Sequence, residues 1–285
     1  MEHLEGKVAV ITGGASGIGL AIAQRLAKEN VKLALLDVER APLEAAAQAL
    51  RDGGATVLAI CLDVSNAAAF EAAAAEVRDK LGLAQIIINN AGVGGGTGPL
   101  WTLSTADWEW SLSVNLWGVI HGIRLFLPPL IASGEEGHVV NTASVAGLMS
   151  TPWLGPYTAA KHAVVALSEV LSKDLELAGA KVGVSVLCPG FVKTKIGSSD
   201  RNRPDAPPSS PPPSGGLGEI FQQLVDSGIA AETVAERVVA AIREPRFYIL
   251  THPELKPAFE HRLRDILEER PPGIDPMFRS LLGGR

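Results

Sequence analysis

Short apolar runs alternate with longer amphipathic stretches through most of the chain. Residues 7–11, 31–36, 56–62, 85–88, 139–143 and 181–187 are short and rich in branched apolar side chains, the pattern of strands buried on both faces. Between them, residues 20–29, 42–51, 67–81, 104–127 and 156–178 repeat apolar positions at helical spacing. The punctuation agrees. Gly53-Gly54 closes one helix, Ser65 is placed to cap the next, and Ser104 with Asp107 forms a capping-box pattern. Pro156 sits where a helix tolerates proline, and Gly179 follows the last turn of the same helix. Strands and helices alternating in a single run predict an α/β architecture: a doubly wound parallel sheet of about seven strands with helices on both faces.

The pattern then breaks. Residues 196–218 hold Pro204, Pro207, Pro208 and Pro211-Pro212-Pro213 among serines and glycines, a composition that cannot build a core. The stretch begins at a strand end, so it reads as a mobile lid over a site there. Residues 219–226 and 233–243 are helical and 246–250 form a last strand. Residues 1–252 are thus expected to form one domain. Residues 253–285 form a tail whose stripe Leu255, Phe259, Leu263, Ile266 and Leu267 should pack on its own subunit or a neighbour.

Composition narrows the partners. With 47% apolar residues in 285, a sizeable core is available. A net charge of −6 argues against nucleic acid or an anionic membrane as the main partner. The start, Met1-Glu2-His3-Leu4-Glu5, is acidic and lacks the apolar segment of a signal peptide. No run of about 18 uninterrupted apolar residues predicts a membrane span. Cys61 and Cys188 lie in apolar runs and read as buried thiols of a reducing, cytoplasmic compartment. The six histidines and both cysteines lack metal-ligand spacing, so no metal is expected.

The candidate chemistry sits at the strand ends. Thr12-Gly13-Gly14-Ala15-Ser16-Gly17-Ile18-Gly19 joins the first strand to a helix. Such a turn lets backbone approach a pyrophosphate at a helix N-terminus. Asp37, at the end of the second strand, can accept from both adenosine ribose hydroxyls and would repel a 2′-phosphate, which favours NAD over NADP. Asn89-Asn90-Ala91-Gly92 ends the fourth strand, where the asparagines can tie loops together and face the adenosine; Gly94-Gly95-Gly96 then predicts a supple loop. Tyr157 and Lys161 are four apart on one helix and share a face. A lysine cation beside a phenol favours the phenolate, and a tyrosine so tuned can exchange a proton with an alcohol or carbonyl oxygen. Ser144, ending the fifth strand, can hydrogen-bond that same oxygen. Asn115, an amide among Val114, Leu116 and Trp117, reads either as a satisfied core residue or as the holder of a water leading protons away from Lys161.

Together Thr12-Gly13-x-x-x-Gly17-Ile18-Gly19, Asp63, Asn89-Asn90-Ala91-Gly92, Asn115, Ser144, Tyr157-x-x-x-Lys161 and Pro189-Gly190-x-Val192-x-Thr194 resemble the short-chain dehydrogenase/reductase family over about residues 5–252. The resemblance implies a Rossmann-type fold and an NAD(H)-dependent oxidoreductase acting on a small-molecule alcohol or ketone. It implies Tyr157 as general acid/base, Lys161 as the residue that lowers its pKa and binds the nicotinamide ribose, Ser144 orienting the substrate oxygen and Asn115 holding a relay water. It further implies that Gly13, Ser16, Gly17, Ile18 and Gly19 line the pyrophosphate turn and that Asp37 holds the ribose. Asp63 and Val64 would flank the adenine, with Asn90, Ala91 and Gly92 along the adenosine side. Pro189, Gly190, Val192 and Thr194 would lie by the nicotinamide. The family forms dimers or tetramers, partly through the helices containing Asn115 and Tyr157, so a homo-oligomer is expected. The apolar residues near Ser144 and Tyr157 (Val145, Ala146, Leu148, Met149, Trp153, Leu154, with Phe191) suggest a lipophilic or aromatic substrate. The alternatives are a noncatalytic NAD-binding sensor or scaffold, or an epimerase or dehydratase on the same fold.

Overall fold

The computed structural model describes residues 1–204 and 217–274. Strands β1 (Val8–Thr12), β2 (Lys32–Asp37), β3 (Val57–Cys61), β4 (Ile86–Asn89), β5 (Gly137–Thr142), β6 (Val182–Cys188) and β7 (Tyr248–Leu250) form one sheet in the order β3-β2-β1-β4-β5-β6-β7. Every pairing is parallel. Val10 of β1 lies opposite Ala34 of β2 on one side and Ile87 of β4 on the other. The winding direction reverses between β1 and β4, which opens a crevice at the strands' C-terminal ends.

Helices α1 (Gly17–Ala27), α2 (Arg40–Asp52) and α8 (Ala231–Arg243) cover one face, burying Ile22, Leu26, Leu43, Val234 and Val238 against Ile11, Leu33 and Leu35. Helices α3 (Ala67–Leu81), α5 (Gly118–Ser133) and α6 (Gly155–Leu177) supply Phe70, Val77, Phe126, Leu127, Leu130 and Leu175 to the other face and to Val10, Leu36 and Ile87. Phe70 is fully buried and edge-on to Phe126 at 6.2 Å, and truncating such a side chain costs about 3–5 kcal/mol. The remaining helices are α4 (Thr105–Leu112), α7 (Leu217–Ser227) and α9 (Lys256–Leu267).

Helix α4 starts where the sequence predicts. Ser104 Oγ accepts from Asp107 N–H while Asp107 Oδ2 accepts from Ser104 N–H at 2.8 Å, a closed capping box. It continues through a π-helical turn, Ser113–Trp117, into α5. This continuous helix, Thr105–Ser133, is long and apolar enough by length and composition to cross a membrane, with a mean hydropathy of 1.3. In the fold it packs on α3, α6 and β4 and carries buried Ser111 and Asn115 on its inner side.

Three local expectations change, and the tail is covered only in part. The helix read as starting at Leu20 begins at Gly17, so it rises directly from the glycine turn. Asn66, not Ser65, caps α3, its side chain accepting from Ala69 N–H; Ser65 instead donates to Asp63 Oδ1 at 2.7 Å. Cys61 is exposed, because β3 is an edge strand, whereas Cys188 in β6 is fully buried. In the tail, Leu255 is buried, but Leu263, Ile266 and Leu267 of α9 are 55–74% exposed, uncovered within the single chain. Most of the lid expected at 196–218 falls on 205–216, outside the described residues, as do residues 275–285 of the tail. Residues 196–202 form a 3-10 segment, Ile196–Asn202.

Candidate active site

A cleft of about 610 Å³ runs along the C-terminal edge of the sheet. One end is made by the β1–α1 turn. Gly13 and Gly17 have φ of +67° and +55°, a region that L side chains rarely enter. A Cβ on Gly19 would lie 2.1 Å from the carbonyl oxygen of Gly13, and one on Gly13 would meet Ala91 and the Asn90 amide at 3.0 Å. The turn is therefore pressed against the end of β4. Thr12 Oγ1 accepts from the N–H groups of Asn90 and Ala91 at 2.9 and 3.0 Å, and Asn90 Nδ2 donates to Thr12 O at 3.0 Å. Ser16 stands before the first turn of α1, and its hydroxyl makes no capping bond.

Asp37 closes this end. Its Oδ2 accepts from Ala15 N–H and its Oδ1 from Glu39 N–H, both at 3.0 Å. Burial pushes its carboxyl above the ordinary range, while those amides pull the other way. Asp63 Oδ1 accepts from Ser65, Val64 is buried against Gly118, and both line the cleft.

The other end gathers Ser144, Tyr157 and Lys161. Ser144 follows β5, its Oγ accepting from Ala146 N–H at 3.1 Å and donating to Pro189 O at 3.4 Å. Lys161 is 2% exposed; its ammonium donates to Thr142 O at 2.9 Å and lies 5.6 Å from the centre of the Tyr157 ring. Burial pushes Lys161 down to about 8. Burial also raises the Tyr157 phenol, with the Ser144 hydroxyl pulling it down. The lowering expected from Lys161 is thus not seen: desolvation of the phenolate outweighs what its neighbours return. Cys188, beside this group, is pushed up to about 12 by burial and stays a neutral thiol. Tyr248, the other tyrosine, donates to Glu169 and does not line the cleft.

Asn115 lies in the π-helical turn, fully buried. Its Oδ1 accepts from Val93 N–H at 3.0 Å, and its Nδ2 donates to Val93 O at 2.9 Å and Ser111 Oγ at 3.2 Å. A Cβ on Gly92 would meet Asn115 Oδ1 at 3.0 Å and Lys161 Nζ at 3.6 Å, so the amide stands beside the lysine. The side chain is fully engaged with protein groups, as a satisfied core asparagine is.

The sequence profile described as short chain dehydrogenase matches residues 7–205. The chain belongs to that family. Among relatives of this short-chain dehydrogenase, the CLA biosynthesis dehydrogenase/reductase of Lactiplantibacillus plantarum is 34% identical over 284 residues, covering 97% of this chain and 99% of the relative. The C alpha-dehydrogenase of a Sphingobium species is 33% identical, covering 95% and 89%. A short-chain dehydrogenase/reductase from Burkholderia phymatum, solved in complex with NAD, superposes with a TM-score of 0.92 at 44% identity, covering 96% of this chain and 99% of that one.

Of the site residues read from the sequence, Gly19 and Asn115 lie off the wall of the cleft and the others line it; of the apolar residues expected to face a substrate, Leu148 packs against the core instead. Gly190 N–H donates to Thr251 Oγ1 and His252 Nδ1, Val192 is buried and bridges to Ile229, and Thr194 packs on Gly17. The triple glycine is not the supple loop expected. A Cβ on Gly95 would sit 2.8 Å from Ser111 Oγ and one on Gly96 2.7 Å from Asp107 Cβ, so these glycines let the loop lie flush on α4. Asn89 points away from the cleft, against Gly122 of α5, and donates to Asn141, which donates to Ser168 of α6.

Sequence reasoning placed Thr12 in the glycine motif without a role of its own and missed Ser111 and Thr142; all three hold the signature residues in place. Within the lid expected at 196–218, residues 199–203 form a strap whose ties were not foreseen. Ser199 Oγ accepts from Gly94 N–H at 2.9 Å. Arg201 pairs with Glu39, Asn202 Nδ2 donates to the same carboxylate at 2.8 Å, and Arg203 Nη1 donates to Asp107 at 2.6 Å. Nothing local in the sequence pairs residues so far apart; the opposite charges of Arg201 and Glu39 and of Arg203 and Asp107 are the signal it carries.

Proposed function

We propose that this short-chain dehydrogenase interconverts a secondary alcohol and a ketone, using NAD(H). One observation carries the reading: Ser144, Tyr157 and Lys161 line the same cleft as the glycine turn and Asp37. The glycine end fits a dinucleotide. Gly13, Gly17 and Gly19 let the turn fold tightly against Asn90, Ala91 and Thr194, which brings its backbone to the positive end of α1 where a pyrophosphate would lie, and the Ser16 hydroxyl, which makes no capping bond, can donate to it. Asp37 offers a carboxylate to the adenosine ribose, supporting NAD over NADP. Asp63 and Val64 would flank the adenine, Asn90, Ala91 and Gly92 the adenosine side, and Pro189, Gly190, Val192 and Thr194 the nicotinamide.

When bound, the nicotinamide supplies the hydride acceptor and, oxidised, a positive charge that favours a phenolate nearby. Tyr157 Oη takes the hydroxyl proton as the alcohol carbon gives up its hydride. Ser144 Oγ hydrogen-bonds the same oxygen and orients it. Lys161, held by Thr142 O, keeps a cation behind the phenol, and Asn115 places the local backbone for a relay water. The walls beyond Tyr157 are Met149, Trp153, Leu154, Phe191, Phe221 and Trp110, which suits a lipophilic or aromatic substrate. Exposed Trp117 at the end of the π-helical turn, Ile131 on α5, and Val170 and Leu177 on α6 support a homo-oligomer joined through those helices.

Tyr157→Phe tests the reading. Oxidation of secondary aryl alcohols, followed by NADH absorbance, should fall by about 10²–10⁴ in kcat, with NADH affinity kept. Turnover near the unmutated level would remove Tyr157 from the chemistry.

A further inference from the structure

Of the charged side chains that the strap sets along the cleft (Asp200, Arg201 and Arg203), Arg203 stands over an aromatic ring. Arg203 lines the cleft, its guanidinium carbon 5.6 Å from the centre of the Trp110 ring, which is itself 8% exposed and also lines the cleft. Arg203 is pinned from behind. Its Nη1 donates to Asp107 Oδ1 at 2.6 Å, while the other oxygen of Asp107 accepts from Ser104 N–H and Oγ, both at 2.8 Å. Asp107 thus caps α4 and anchors the strap at once. The strap is tied twice more, through Ser199 to Gly94 and through Arg201 and Asn202 to Glu39. A side chain so held is a rigid plate, since a guanidinium is planar and stacks on indole faces.

Its position follows from the helix. Asn115 stands beside Lys161, Ser111 is a turn earlier and Asp107 a turn earlier again, so Asp107 lies about 12 Å along the axis from Asn115. The loop 92–96 runs back along the same helix, Val93 against Asn115, Gly95 against Ser111 and Gly96 against Asp107. Arg203 and Trp110 therefore meet on the cleft wall toward the start of α4, about two helical turns from the lysine. Resting on the dehydrogenase reading above, we infer that the Arg203–Trp110 plate is the chamber's end wall and sets the longest substrate accepted: a secondary alcohol or ketone whose far end is an uncharged ring or short alkyl group stopped at the plate.

A wall acts on bound substrate and transition state alike, so its removal changes KM and binding more than kcat. The test uses 1-(4-alkylphenyl)ethanols and the matching ketones, with the para group lengthened from hydrogen to hexyl. Turnover is followed by NADH absorbance. Ketone binding to the NADH complex is read separately from NADH fluorescence and needs no turnover. In the unmutated protein both affinity and kcat/KM should fall off sharply once the chain reaches the plate. Arg203→Ala should raise the hexyl-to-methyl ratio of kcat/KM about tenfold or more, mostly through KM. Arg203→Lys keeps the charge on Asp107 but not the plate, and should shift the profile part of the way. Length profiles parallel to the unmutated protein in both variants, for binding and for turnover, would overturn the wall. A shifted binding profile without turnover in any protein would leave the wall standing and sink the dehydrogenase reading instead. If the unmutated protein binds no member of the series, the chamber and its wall both fall.

Discussion

At the glycine end of the cleft the shape is set by backbone conformation, whereas the Tyr157 end is assembled from side chains drawn from several distant segments. Gly13, Gly17 and Gly19 are fixed by φ and by what a Cβ would strike. Asp37 is held by two amides of its own neighbourhood, those of Ala15 and Glu39. The other end places Lys161 from α6 on Thr142 of β5, Asn115 of the π-helical turn on the loop at Val93, and Arg203 of the strap on Asp107 of α4. The first end is cheap to hold and accepts one shape of ligand. The second buries a cation beside a half-buried phenol, an arrangement that costs stability.

Removing that buried cation should show the cost. Lys161 has its folded-state pKa at about 8 against an ordinary 10.5, so the folded protein binds fewer protons than the unfolded chain between those values. Stability therefore rises with pH across that window, and at pH 7 the full penalty is present. That penalty is up to about 3 kcal/mol. Lys161→Met should remove it, less about 1 kcal/mol for the Thr142 carbonyl left without its donor. Denaturant unfolding of the cofactor-free protein should then show the variant more stable at pH 7, with a flat profile to pH 9.5 where the unmutated protein climbs. Parallel profiles would mean that the cation costs nothing and that the two ends are built alike. At the glycine end, Asp37→Ala should instead leave the fold largely intact and move the ratio of kcat/KM for NAD over NADP down by about tenfold, the worth of one hydrogen bond to a charged group. An unchanged ratio would take cofactor choice away from Asp37.

The same contrast explains what the sequence reveals. The order of strands and helices follows from apolar spacing, because each buried run must pair and each amphipathic face must cover the sheet. The glycine turn is legible because few residues other than glycine enter its backbone conformation. Reading fails where a property depends on distant neighbours. The run containing Cys61 looks like a buried strand, but β3 lies at the sheet's edge, a fact of topology. Ser65 and Asn66 are both competent caps, and only the geometry of the turn at Asp63 decides between them. The triple glycine suggests freedom locally, whereas α4 lying against it makes it a packing surface. Tyr157 next to Lys161 suggests a lowered phenol, and burial reverses the sign. The strap joins Arg201 to Glu39 and Arg203 to Asp107 across 162 and 96 residues of sequence, which no local pattern encodes.

Trp153 gives the finest probe of the side-chain end. It has φ of +63°, in the left-handed region, between a half-buried Pro152 and the bridge that pairs Leu154 with Gly98. Its carbonyl accepts from Gly98 N–H at 2.9 Å, which holds the backbone in that state. A non-glycine residue there costs about 1–2 kcal/mol, strain kept in a residue whose ring walls the substrate chamber. Trp153→Ala and Trp153→Gly delete the same ring, so both should weaken binding of an aryl ketone equally. Their stabilities should differ. At extended backbone alanine would be favoured, because glycine frees the unfolded chain; at positive φ the order reverses, and glycine should exceed alanine by about 1 kcal/mol. The comparison is read from the two unfolding midpoints. Alanine at or above glycine would mean that Trp153 is unstrained, and the chamber wall would then be as relaxed as the glycine turn across the cleft.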